Sequence, residues 1–122
     1  MQIYDRFESS EFQRNDYLFM QCDWVDFEDF RKKYGDAESY SIHSSIGTFY
    51  EGIEMLVNRG LIDVEIVDDL MSGCILQYWE KIKPINDVWR ERFKWPQSYE
   101  WLEYLYNEIK PIAEEQHPEL RT

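Results

Sequence analysis

Between Asp63 and Phe93 the chain sets apolar residues at Ile66, Leu70, Cys74, Tyr78, Ile82, Ile85, Trp89 and Phe93, always three or four positions apart. Only a helix of 3.6 residues per turn gathers such positions on one side. The stretch therefore predicts an amphipathic helix of about thirty residues, roughly 45 Å long. Asp63 has the side chain an N-cap needs. Two residues interrupt the pattern. Gly73 lowers helix propensity without forbidding it. Pro84 lacks a backbone donor, and because the stripe continues in phase across it, a kink near Lys81–Lys83 is expected instead of a break.

A helix this long with one apolar side needs other helices to cover it, and the flanking sequence supplies them. Ile42, Ile46, Phe49, Tyr50, Ile53, Leu56 and Val57 form one stripe over Ser41 to Arg59. Gly60 follows Asn58-Arg59 as a left-handed cap follows a last turn carrying a cation. Gly47 and Gly52 lie inside this helix and imply close approach of another. After Trp95, Pro96 suits the first turn of a further helix whose inner face is Tyr99, Leu102, Leu105, Tyr106, Ile109 and Ile112, with Pro111 bending or fraying its end. Residues 117–122 read as a loose tail.

The first forty residues are less regular. Ser9 or Ser10 starts a helix through Phe12, Tyr17 and Phe19, with Tyr4 and Phe7 in a preceding turn. Asp23 looks like the cap of a short helix holding Phe27, Phe30 and Tyr34 and closed by Gly35. Strand alternation never lasts beyond four residues. The expected architecture is all-α: an up-and-down bundle of four to five helices in a single domain over 1–116, with the long, Pro-kinked helix as its spine.

Composition narrows the function classes. The 122 residues include 25 acids and 13 bases, a formal charge of −12. The surplus is spread along the chain, five in residues 1–40, four in 41–83 and three in 84–122. A nucleic-acid binder needs a basic face to displace phosphate counterions, and an anionic membrane surface repels such a chain, so neither is expected as a partner. Cys22 and Cys74 are far apart and belong to no Cys-x-x-Cys. They read as free thiols in a reducing compartment, which with the absence of an apolar leader at the N-terminus points to the cytoplasm.

No spacing builds a recognisable reaction centre. A di-iron carboxylate bundle requires two Glu-x-x-His pairs. Glu114-Glu115-Gln116-His117 supplies one at the end of the chain, and His43 has no Glu three residues before it. Neither a metal nor another cofactor is expected. The five glycines do not cluster into a phosphate loop. Ser44 and Ser45 adjoin His43, but neighbours on a helix point in different directions. Cys74 on an apolar stripe reads as a core residue. The spacing lets Glu51 and Glu54 face inward together as an acid pair, although helices routinely carry such pairs as solvated face residues.

Phe49-Tyr50-Glu51-Gly52-Ile53-Glu54-Met55-Leu56-Val57-Asn58-Arg59-Gly60-Leu61-Ile62-Asp63, then Val67-Asp68-Asp69-Leu70, Tyr78-Trp79-Glu80, Pro84-Ile85 and Arg90, resemble an uncharacterised prokaryotic family of small helical proteins, a domain of unknown function. The likeness spans about residues 4–110. It implies a helical fold and no activity. Some relatives carry an N-terminal membrane anchor, whereas this chain starts straight into the domain. Within the shared residues, Glu80 and Arg90 beside Glu54 and Arg59 suggest a Glu–Arg bridge that fixes the register of two helices, or a polar pocket of Glu51, Glu54, Glu80 and Arg90.

The leading expectation is a non-enzymatic module that binds another protein or itself through Trp24, Trp95 and Trp101, placed at helix junctions or just off a stripe. An acidic inhibitor or nucleic-acid mimic seated in a basic groove is the second expectation. An enzyme of unrecognised type with a Glu/Arg site is the third.

Overall fold

The computed structural model describes residues 2–120. Among them are six α-helices, one 3₁₀ turn and no strand: α1 Gln2–Phe7, α2 Ser10–Gln21, α3 Phe27–Tyr34, α4 Ala37–Asn58, α5 Val64–Arg92, α6 Glu100–Gln116 and the turn Pro118–Leu120. The packing divides into two compact units, one ending at Thr48 and one beginning at Phe49, so the boundary falls within α4.

In the first unit, caps set the helix starts. The Ser9 hydroxyl accepts from the Phe12 N–H and opens α2. Asp26, and not Asp23, caps α3. Its carboxylate accepts from the Asp29 N–H at 2.8 Å, while Asp29 reaches back to the Val25 N–H at 3.0 Å. Asp23 serves instead through its backbone, which meets the Tyr34 hydroxyl. Asp36 opens α4 by accepting from the Ser39 N–H, which holds its carboxyl below the usual range. The core is aromatic: Phe12, Phe19, Phe27 and Phe30 are buried.

The second unit is an up-down-up arrangement of three helices. Asn86 meets Ser98 and Glu80 meets Tyr106, so α5 and α6 run antiparallel. Glu51 and Glu54 of α4 meet α6 at Trp101–Leu102 and at Glu108 in rising order, which makes α4 parallel to α6. Tyr50, Ile53, Ile75, Tyr78, Trp79, Leu102, Leu105 and Ile109 fill the interior. The turn after α4 closes as expected: Gly60 is left-handed at φ 72°, with Leu61 N–H on the Leu56 carbonyl and Gly60 N–H on that of Val57.

The long helix keeps its expected ends, with Asp63 capping and Phe93 closing it, but not its expected face. Val67, Met71 and Ile75 are buried, whereas Ile66 and Leu70 are exposed. From Tyr78 through Ile85 the expected stripe is the buried one. Val67, Met71, Ile75, Tyr78, Ile82 and Ile85 lie on one face of a 3.6-residue helix, from which repeated four-residue steps through Ile66, Leu70 and Cys74 drift away. A kink falls at Met71, which departs from helical dihedrals at φ −147° and ψ 18°, and Pro84 stands within a run of helical residues. At the C-terminus, Pro118–Leu120 forms a 3₁₀ turn where a loose tail is expected, and residues 121–122 lie outside the described residues.

Gly52 also departs from its sequence reading. A methyl group built there, or at Gly73, meets nothing within 4 Å, so neither glycine marks a close helix approach. Both sit in helices where glycine is costly. Gly52→Ala and Gly73→Ala are each expected to raise stability by about 0.5–1 kcal/mol, read as an increase in the urea midpoint at unchanged slope. An unchanged or lower midpoint would show that the glycines serve another purpose.

Candidate functional site

The most polar part of the second unit surrounds the N-terminus of α6. A helix start leaves N–H groups that need acceptors. Here the residue before the helix, Tyr99, is left-handed at φ 57° and ψ 30° and offers no side-chain cap. Glu51 of α4 takes that place from outside the helix. Its carboxylate accepts from the backbone N–H groups of Trp101 and Leu102. Half-burial pushes the Glu51 carboxyl up to about 7. The two N–H bonds and nearby Arg90 oppose that rise, and Glu100 reinforces it.

Arg90 of α5 secures the segment that leads into α6. Its Nε donates to the Ser98 carbonyl at 2.8 Å and its Nη1 to Glu103 Oε1 at 3.1 Å. Asn86, buried one turn earlier, donates to the same carbonyl at 3.0 Å and accepts from the Ser98 hydroxyl at 2.8 Å. The Arg90 guanidinium lies 6.0 Å from the Trp79 ring, and its Nη2 is buried with no partner. A charge-assisted pair with two further bonds to one loop makes a clamp. The expected Glu–Arg bridge is thus replaced: Arg90 pairs with Glu103, and neither Glu54 nor Glu80 is its partner.

Glu54 lies one turn beyond Glu51 and is 2% exposed. One side of its carboxyl meets the carboxyl of Glu108 on α6, while Oε2 is buried without a partner. Burial first, then the facing Glu108, push Glu54 up to about 8. Two carboxyls in hydrogen-bond contact need a shared proton, and burial supplies the reason to keep it. Glu80 stands apart and exposed, accepting from the Tyr106 hydroxyl at 2.6 Å with Lys110 at 4.0 Å. Of the four residues grouped by sequence, the structure brings Glu51 and Arg90 to one end, puts Glu54 a turn away, and separates Glu80.

The three tryptophans also divide. Trp24 packs into the aromatic core of the first unit, edge-on to Phe30 at 4.8 Å and 6.1 Å from Phe19. Trp101 is half-buried with its ring 5.9 Å from exposed Tyr104. Trp95 is 58% exposed, two residues after Phe93 at 45%. Beneath Phe93 lies the ring of Trp89, 4.5 Å away. This turn is fixed in shape: the Trp95 N–H donates to the Arg90 carbonyl and the Lys94 N–H to that of Glu91, with Lys94 left-handed at φ 53°.

That conformation costs an L-residue roughly 1 kcal/mol. Lys94→Gly relieves it and gives up some attraction to the helix C-terminus, so a net gain of about 0.5 kcal/mol is expected in chemical denaturation. A loss of stability would show the Lys94 side chain to be worth more than its strain.

No group of three or more His, Cys, Asp and Glu gathers to hold a metal ion among the described residues, and no helix among them is long and apolar enough to cross a membrane. Asn86, Ser98, Glu103 and Glu108 are the site residues that sequence reasoning missed. Their partners are set by the turn between α5 and α6, and no local motif marks them. A family model covers residues 2–109: Domain of unknown function (DUF4760). The chain belongs to this family. The match agrees with the resemblance carried by the α4–α5 residues, and no curated protein or solved structure matches the chain. In this DUF4760 domain the matched stretch takes in the whole Glu51–Arg90–Glu103 clamp, Trp95, and the Glu54–Glu108 pair.

Proposed function

We propose that this DUF4760 domain is a non-enzymatic protein-interaction module, and that its contact surface is centred on Phe93 and Trp95. The carrying observation is that two large aromatics are exposed on a turn whose shape is held by backbone hydrogen bonds and by the Arg90–Ser98 clamp. Aromatic anchors on rigid supports lose little entropy on binding, which is why they dominate interfaces. Arg92 and Lys94 flank them, so the partner surface should offer carboxylates as well as an apolar pocket. The clamp residues serve this reading as supports, since each of their bonds holds α6 or the loop before it.

Trp95→Ala is the test, together with a photo-crosslinking residue placed at 95 in the native host. The variant should melt within about 0.5 kcal/mol of the parent, as exposed sites do, whereas Ile75→Ala in the core should lose about 2–5 kcal/mol. The crosslinker should yield one discrete protein adduct, or a dimer of this chain. Unfolding of Trp95→Ala as severe as that of Ile75→Ala, or no adduct, defeats the proposal. The net charge of −12 favours a second reading, an acidic inhibitor or mimic in a basic groove. Steep loss of partner binding with salt, indifferent to Trp95→Ala, would select it. A cytoplasmic setting belongs to the same proposal and rests on two cysteines that are widely separated in sequence and form no disulfide.

A further inference from the structure

Three helices of the first unit surround a cavity of about 290 Å³ that opens to solvent. Phe19 of α2 with Cys22 just after it, Phe30 and Tyr34 of α3, and Ile42 and His43 of α4 form its principal walls. Helical cores normally close such space, leaving few voids larger than a water molecule. An apolar cavity of about 150 Å³ already suffices to hold benzene. The space here therefore has room for one or two aromatic rings.

The walls say which chemistry fits. No Asp, Glu, Lys or Arg lines the cavity. The Tyr34 hydroxyl is engaged by the Asp23 backbone, and the Cys22 thiol donates to the Leu18 carbonyl at 3.4 Å. The phenol and the thiol are thus tied to backbone, and the neutral polar side chains of Gln21, Ser39 and His43 complete a wall that is mostly carbon. His43 is set among rings, 5.2 Å from Phe30, 5.2 Å from Tyr40 and 6.5 Å from Phe19. We propose that this cavity is a binding site for a small, uncharged aromatic molecule of one or two rings. Aromatic walls favour edge-to-face and offset contact with such a ligand. A charged ligand would surrender its hydration without a counter-charge to receive it. Burial keeps His43 itself neutral near pH 7, its imidazolium being pushed down to about 4, which is consistent with an uncharged occupant.

Cys22 provides a reporter in the wall, and Cys74 of α5 an internal control. Alkylation of each by iodoacetamide is followed by peptide mass spectrometry while indole is titrated. At ten times its dissociation constant, indole should slow Cys22 alkylation about tenfold and leave Cys74 unchanged. Ile42→Phe, which fills the cavity, should abolish this protection. Nuclear Overhauser contacts from indole to Phe30 and Ile42 in the parent protein give a second reading that does not depend on the variant's folding. The proposal is overturned by an unchanged Cys22 rate at the solubility limit of indole, by equal slowing of both cysteines, or by absence of those contacts. Protection by tetramethylammonium but not by indole would overturn it too, because a cation would then be the occupant.

Discussion

Glu54→Gln is expected to stabilise the second unit by a few kcal/mol at pH 9 and to change little at pH 4. The folded state holds the Glu54 carboxyl at about 8, above its ordinary value of 4.5. Below 4.5 both folded and unfolded chains carry the proton, and the group costs nothing beyond its burial. Between 4.5 and 8 the folded chain keeps a proton that the unfolded chain releases, so stability falls as pH rises. Above 8 the loss is complete, and ionising a carboxyl that is 2% exposed beside Glu108 accounts for it. Glutamine keeps the shape, donates to Glu108 and never ionises. Glu51, held at about 7, adds a second loss of the same sign between 4.5 and 7. The variant should therefore retain that earlier step and lose the later one. The thermal midpoint across pH 4–9 is the measurement, with about 4–8 °C expected per kcal/mol in a unit of this size. A parent midpoint that stays level from pH 5 to 8 would show that Glu54 ionises freely.

The contrast between Glu54 and its neighbours marks how far the sequence could be read. Caps and apolar spacing are local, and they place α5 within a residue of its true ends, from Asp63 to Phe93. They also announce the Gly60 turn and the start of α2 at Ser9. Phase is not local. Four-residue steps through Ile66, Leu70 and Cys74 drift around a 3.6-residue helix, and Val67 and Met71, in phase with Tyr78, are buried in place of Ile66 and Leu70. Nothing about methionine announces the kink at Met71, whereas Pro84, the visible breaker, stands among helical residues. The polar core is legible only in part for a similar reason. The spacing lets Glu51 and Glu54 face inward, but nothing in α4 names Glu108, the α6 residue that Glu54 meets. The Ser98 hydroxyl is taken by Asn86, and Glu51 caps α6 from another helix, which no local motif announces. The candidate interaction residues follow the same division. Trp24 and Trp95 sit at junctions in sequence and Trp101 just off a stripe, and only packing shows that Trp24 is half-buried against rings while Trp95 is open.

His43 predicts the opposite pH response for the first unit. Its imidazolium is held down to about 4 from an ordinary 6.5, because burial among Phe19, Phe30 and Tyr40 disfavours the charge. The unfolded chain takes up a proton below 6.5 that the folded chain refuses until about 4. Stability is then fully present above 6.5 and lost as pH falls through that window. A shift of this size corresponds to about 3 kcal/mol, reduced to about 2 kcal/mol by solvent at the partly exposed edge of the ring. Hydrogen exchange, corrected for its intrinsic pH dependence, can follow both units in one sample. Peptides from α2 and α3 should lose protection between pH 6.5 and 4.5, while peptides from α5 and α6 gain it, because the folded chain holds protons on Glu51 and Glu54 that the unfolded chain lacks until about 4.5. His43→Phe keeps a ring in the cluster and should remove the first response without touching the second. The directness of the check lies in the imidazole itself: a His43 proton resonance titrating near 6.5 would mean that the aromatic cluster admits the charge, and both the acid sensitivity and the uncharged character assigned to the neighbouring cavity would lose their support.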